Sequence, residues 1–211
     1  MNHKNIENII FDLGGVIINL DINNTFRMFS HIFKKEINAD IFSDHEKYSF
    51  FRDYEIGKIN DEEFRSSIKN LVDFPVEDAL IDEAWCAMLQ NIPTDRISWI
   101  YEATQKYNCV VLSNTNHIHI NYFEKYFNKT TPYGYPQDMF QKLFYSHEIG
   151  ERKPDAASFE RVLDDTGFDP AKTVLLDDLK ENLESAGKLG IKMEYVERNK
   201  LRREQLTDGN R

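Results

Sequence analysis

Apolar residues gather in short runs at five places along the chain. Ile9-Ile10-Phe11, Val110-Val111-Leu112, Leu143-Phe144-Tyr145 and Val174-Leu175-Leu176 each stop at polar residues or glycine, and Met193-Glu194-Tyr195-Val196 is a weaker fifth. Short continuous runs of this kind predict strands covered on both faces, the mark of a parallel sheet. Between them, apolar positions recur with a helical period over Asp95 to Lys106, His117 to Phe127, Ala156 to Asp165 and Asn182 to Leu189. Strand alternating with helix predicts an α/β fold: a Rossmann-like parallel sheet with right-handed crossovers.

The stretch from Asn19 to Asn108 breaks this rhythm. A crossover between parallel strands needs little more than about a dozen residues, and this one carries helical patterns of its own. They run over Thr25 to Lys35, Glu62 to Leu71 and Val76 to Gln90, with Asp61 as the expected N-cap of the second and Phe64, Ile68 and Leu71 along one face. Phe42, Tyr48, Phe50, Phe51 and Tyr54 are expected to fill the core of such a module. The predicted organisation is a core of residues 1–18 and 95–211 with a helical cap domain, 19–94, inserted after the first strand.

In a parallel sheet, chemistry collects at the carboxyl ends of the strands. The first strand ends Asp12-Leu13-Gly14-Gly15, the second Ser113-Asn114-Thr115-Asn116, and the fourth Asp177-Asp178 with Asn182 one helical turn on; Lys153-Pro154 follows the third. A carboxylate such as Asp12 on an apolar strand is costly to bury without a purpose, and at a strand tip it can attack phosphorus. A hydroxyl and turn N–H groups can hold phosphoryl oxygens, and a lysine can neutralise both reactants. Three crowded aspartates repel one another. One Mg²⁺, a hard cation suited to carboxylate oxygens, together with Lys153 balances their formal charge.

Charge narrows the partner. The chain of 211 residues carries a formal net charge of −10, which argues against nucleic acid. The basic stretch Asn199-Lys200-Leu201-Arg202-Arg203 is expected to be a solvated tail. Cys86 and Cys109 match no metal spacing and are expected to be buried thiols of a reducing compartment. The apolar run before Asp12 is too short for a membrane span or a signal peptide, so a cytoplasmic protein without a membrane partner is expected.

The ordered set Asp12-x-x-Gly15, Ser113-Asn114-x-Asn116, Lys153-Pro154 and Asp177-Asp178-x-x-x-Asn182 resembles the four motifs of the haloacid dehalogenase (HAD)-like hydrolase superfamily, over roughly residues 6–20 and 95–198. The long helical interval is similar to the branch with a small helical cap. Phe11-Asp12-Leu13-Gly14-Gly15-Val16 and Ser113-Asn114-Thr115-Asn116 look most like sugar-phosphatase members of the α-glucose-1-phosphate phosphatase type. The resemblance implies Asp12 as nucleophile and metal ligand, Ser113 and Asn114 as phosphate-binding residues, and Lys153 as the catalytic lysine that also binds phosphate. It implies Asp178 and the Gly14 carbonyl as further Mg²⁺ ligands, with Asp177 and Asn182 supporting them. Tyr54-Glu55-Ile56-Gly57-Lys58-Ile59 resembles a cap loop of the family. The substrate implied is a small phosphorylated metabolite, hydrolysed through an aspartyl-phosphate.

One departure stands out. Most phosphatases of the family carry a second aspartate two residues after the nucleophile, as proton donor and later base; here that position is Gly14. Such acid–base catalysis contributes roughly a hundred- to ten-thousand-fold. Asp21, His117 and His119 are the candidate replacements. The competing readings are a metal-independent haloacid dehalogenase and a non-catalytic phosphate-binding protein of the same fold.

Overall fold

The computed structural model describes residues 5–38 and 48–206. Five parallel strands, β1 (Asn8–Phe11), β2 (Asn108–Ser113), β3 (Lys142–Tyr145), β4 (Thr173–Asp177) and β5 (Lys192–Tyr195), form one sheet in the order β3-β2-β1-β4-β5. Each predicted run lies in a strand or overlaps one. Side chains alternate between the faces, as a pleated strand requires. Ile9 and Phe11 join Val111, Val174 and Leu176 on one side, and Ile10 joins Val110, Leu112, Phe144 and Leu175 on the other.

Four helices follow β1: α1 (Ile22–Phe33), α2 (Ser49–Glu55), α3 (Asp61–Lys69) and α4 (Asp78–Cys86). Their apolar faces build a core apart from the sheet's, with Phe26 and Phe29 of α1, Phe51 and Tyr54 of α2, Phe64 and Ile68 of α3, and Ile81 and Trp85 of α4. Tyr54 stacks on Phe64 at 4.2 Å and Phe51 on Trp85 at 5.3 Å. Phe42 lies outside the described residues. Helix α2 has only seven residues, too few to show a period in the sequence. The N-cap of α3 is Asn60 rather than Asp61. Asn60 Oδ1 accepts from the N–H groups of Glu62 and Glu63, and Glu63 returns a bond to the Asn60 N–H, the reciprocal capping box. The Asp61 carboxylate turns instead to the Tyr54 hydroxyl (2.6 Å) and His117 (2.8 Å).

The chain leaves and re-enters the sheet layer through two segments lying side by side. Asn19 N–H donates to the Asn91 carbonyl, Gln90 N–H to Asn19 and Asp21 N–H to Met88. Helices α5 (Thr94–Thr104) and α6 (His117–Thr130) then cover one face of the sheet through Ile97, Ile100, Phe123 and Phe127. After the short α7 (Pro136–Met139) and α8 (Ser146–Ile149), α9 (Ala156–Thr166) and α10 (Lys180–Lys188) cover the other through Phe159, Val162, Leu183 and Ala186. A fully buried large apolar side chain contributes roughly 1.5–3 kcal/mol, so these cores need no disulfide, and Cys86 and Cys109 are buried free thiols.

The basic stretch after β5 is not a solvated tail. Asn199 clamps both backbone groups of Leu20, through Oδ1 (2.8 Å) and Nδ2 (3.0 Å), and its N–H donates to the Gly15 carbonyl at 2.7 Å. Leu201 is buried. The buried Arg96 guanidinium ties Ile17, Asn19 and the Asn199 carbonyl together. No helix among the described residues is long and apolar enough to cross a membrane.

Candidate active site

Strand register brings the acids together. Phe11 pairs with Leu176, and Asp12 N–H donates to the Leu176 carbonyl at 2.9 Å, so Asp12 leaves β1 beside Asp177 at the tip of β4. The chain turns to β2 and β3 on one side of β1 and to β4 and β5 on the other, and the crevice between β1 and β4 is where such a sheet binds ligands.

Lys153 arrives from the loop before α9, held from the end of β2. Asn114 Nδ2 donates to the Lys153 carbonyl (2.7 Å), and Lys153 N–H donates to Asn114 Oδ1 (2.8 Å). The side-chain amide expected to bind phosphate thus uses one N–H to position Lys153 and keeps a second. The Lys153 ammonium, 1% exposed, donates to Asp12 Oδ1 and Asp177 Oδ2, both at 2.7 Å. Asp177 also accepts from the Leu179 N–H and from Asn182 Nδ2. Ser113 lies buried at the tip of β2 and shares a cavity of about 260 Å³ with Asp12, Gly14, Lys153, Asp178 and Asn182.

Burial pushes the Asp12 carboxyl up to about 7, with Lys153 pulling it down and Asp177 and Asp178 adding to the rise. Burial works against the Lys153 ammonium too, yet Asp12 and Asp177 together hold it above the usual lysine value. Asp178 is paired with Arg198, a residue that its exposed strand-end context did not single out in the sequence.

A divalent cation fits this donor set. Oxygens of Asp12, Asp177 and Asp178 lie within 4.8 Å of one another. Their hydrogen bonds leave Asp12 Oδ2 and Asp178 Oδ1 uncommitted, and the buried Asn182 Oδ1 has no hydrogen-bond partner. Hard oxygen donors of this kind suit Mg²⁺.

The haloacid dehalogenase-like hydrolase model matches residues 105–196. A HAD family enzyme from Bacteroides thetaiotaomicron is 35% identical, with TM-score 0.82 over 90% of this chain and 93% of that one. This chain belongs to the HAD-like hydrolase family. The same Bacteroides enzyme has been solved in complex with magnesium and inorganic phosphate (34% identity, TM-score 0.77, 90% and 93% covered). A D-ribitol-5-phosphate phosphatase from Bacteroides thetaiotaomicron is 24% identical over 96% of this chain and 97% of its own length. A HAD-like family hydrolase from Porphyromonas gingivalis is 28% identical, with TM-score 0.80 over 90% and 91% of the two chains.

Against the HAD pattern, the turn after β1 has two structural features. Gly15 adopts φ +77°, and a Cβ there would stand 2.8 Å from Asp178 Oδ2, so only glycine admits the acid of β4 this closely. At Gly14 a Cβ would meet Leu20 Cδ1 at 2.6 Å, so a side chain there would require the end of Leu20 to move. None of the candidate proton donors is placed for the role. Asp21 caps α1 at the surface and pairs with Arg27, and exposed His117 pairs with Asp61; neither lines the cavity. His119 does line it, but both its ring nitrogens are engaged, with the Trp85 carbonyl (2.9 Å) and Asn116 (3.2 Å), and burial pushes its pKa down to about 4.

The cavity adjoins a second one of about 560 Å³ beneath α1, α2 and α4. Ile22, Glu55, Met88, Asn114, His119 and Arg152 line both. Glu55 pairs with Arg152 at 3.1 Å across the seam between α2 and the sheet domain. Glu55 entered the sequence reading only as part of the cap-loop segment and Arg152 in no motif, because their pairing has no trace in the chain until the fold brings them together.

Proposed function

We propose that this chain is a Mg²⁺-dependent phosphatase that hydrolyses a small sugar- or polyol-type phosphate monoester through an aspartyl-phosphate on Asp12. The observation that carries this reading is the Lys153 ammonium bridging Asp12 and Asp177 at one sheet edge with Asp178 and Ser113 beside it. The phosphatase relative and the Bacteroides enzyme bound to magnesium and phosphate support it.

In the first step an Asp12 oxygen attacks phosphorus and the ester oxygen leaves. In the second, water attacks the same phosphorus and returns the Asp12 carboxylate. Lys153 orients Asp12 and offsets charge on the transferring group, Ser113 and the N–H groups of the turn hold phosphoryl oxygens, and Asn114 and Asp177 keep Lys153 in place. Asp12, Asp178 and the Gly14 carbonyl would hold Mg²⁺, with Asn182 close by, and the ion would supply positive charge to the phosphoryl oxygens. Three carboxylates against Lys153 and Arg198 leave one net negative charge; Mg²⁺ turns this to one net positive charge, which welcomes a phosphate dianion. That acid set speaks against dehalogenation, since a substrate carboxylate would meet the same repulsion.

Residues 19–94 act as the cap, with the second cavity receiving the leaving group. The setting is the cytoplasm, which suits two unpaired thiols. The test is a phosphate-ester panel including D-ribitol 5-phosphate, with Mg²⁺ and with EDTA, beside Asp12→Asn. Turnover that needs Mg²⁺ and vanishes in the variant is expected; equal turnover by variant and wild type refutes the nucleophile.

A further inference from the structure

Resting on the phosphatase reading, we propose that Glu55, carried by the helical cap to the boundary between the two cavities, is the proton donor and acceptor of the reaction in place of the missing carboxyl at position 14. The geometry locates the need. Phosphorus must sit beside Asp12 in the smaller cavity and the leaving group in the larger, so the ester oxygen lies at their shared boundary. Three titratable residues line that boundary: Glu55, His119 and Arg152. A guanidinium offers donors only and does not serve as a base in proteins, and His119 has both nitrogens committed. Position 14 itself carries no side chain, and the end of Leu20 packs against it.

Glu55 has the right form for the task. Its Oε2 meets Arg152 at 3.1 Å, and Oε1 has no hydrogen bond among the described residues. Burial raises its carboxyl above the usual glutamate value, with Arg152 and then Arg52 drawing it back, so the group is poised to exchange a proton closer to neutrality. The charged groups that share its two cavities are Arg152, Asp12, Lys153, Asp178 and Arg198 of the sheet domain and Arg52 and Asp53 of α2, with neutral His119 beside them. Arg152 Nε is buried without a partner, a donor ready for a leaving-group hydroxyl.

The steps balance. As the Asp12 oxygen bonds to phosphorus and the P–O ester bond breaks, the Glu55 proton passes to the departing oxygen, releasing the alcohol. The Glu55 carboxylate then takes a proton from water, whose oxygen bonds to phosphorus while the Asp12–phosphorus bond breaks.

The experiment compares wild type and Glu55→Gln, with Mg²⁺, on an alkyl ester (D-ribitol 5-phosphate) and on p-nitrophenyl phosphate, whose leaving group needs no proton. The amide keeps its size and its Arg152 contact. On the alkyl ester the variant is expected to lose kcat by roughly 10²–10⁴-fold. On the aryl ester it is expected to release one p-nitrophenolate per site at near wild-type rate, then turn over slowly for want of a base. Added formate should restore alkyl-ester turnover to Glu55→Ala. Alkyl turnover within about threefold of wild type, an equal first-turnover loss on both esters, or a change in KM alone overturns the proposal. Wild type inactive on every ester sinks the phosphatase reading itself, and this role with it.

Discussion

His119 offers the most direct quantitative test of the site's electrostatics. Its Nε2 donates to the Trp85 carbonyl at 2.9 Å, and its Nδ1 accepts from Asn116 Nδ2 at 3.2 Å. The Asn116 amide cannot turn round to greet a proton there, because its Oδ1 already accepts from Trp85 Nε1 and the His119 N–H. Burial pushes the ring's pKa down to about 4, against 6.5 for a free imidazole. That gap corresponds to roughly 3 kcal/mol. The sign follows from which state takes the proton. Above the unfolded value both states are neutral and stability is whole; between the two values only the unfolded chain is protonated, so stability falls; below the folded value nothing more is lost. His119→Gln keeps a donor for Trp85 and removes the titration. Urea unfolding of both proteins in EDTA, from about pH 7 to about pH 4, should show wild type losing roughly 3 kcal/mol more than the variant. Parallel stability curves, or an NMR titration placing the ring near its free value, would refute the reasoning.

Lys153→Met removes the single cation between two buried carboxylates, and should cost about 3–5 kcal/mol in urea unfolding without metal; a loss under about 1 kcal/mol would contradict the bridge. Gly15→Ala, with φ +77° and a Cβ 2.8 Å from Asp178 Oδ2, should weaken Mg²⁺ binding by calorimetry by about tenfold or more, and unchanged affinity would place Asp178 outside the metal site. Asn199→Ala loses two hydrogen bonds to Leu20 and puts alanine at φ +66°, so the unfolding free energy should drop by about 1–3 kcal/mol.

Strand and helix periods carried the α/β class, since a sheet buried on both faces leaves continuous apolar runs that no surface segment shows. The motif residues Asp12, Lys153, Asp177 and Asp178 were equally visible, because acids at strand tips have few structural reasons to exist and Lys153 follows the third strand in the same order. Other features had no such trace. Helix α2 was too short for a period, Asn60 took the cap expected of Asp61, and the stretch after β5 clamps the β1 turn instead of floating free. Each of these depends on partners distant in the chain, or on a competition between neighbouring polar residues that spacing cannot decide.

The chain by itself determined which groups were available: a carboxylate after the first strand, an acid pair at the end of the fourth and a lysine in the loop after the third, each visible in local sequence. Tertiary structure alone decided how those groups are used. It turned the Asn114 amide toward Lys153, packed the end of Leu20 against Gly14, closed Arg198 on Asp178, and swung Glu55 and Arg152 to the seam between two cavities. The physical reason is that periodicity is a property of neighbours along the chain, whereas a charge pair or a blocked space is a property of neighbours across it.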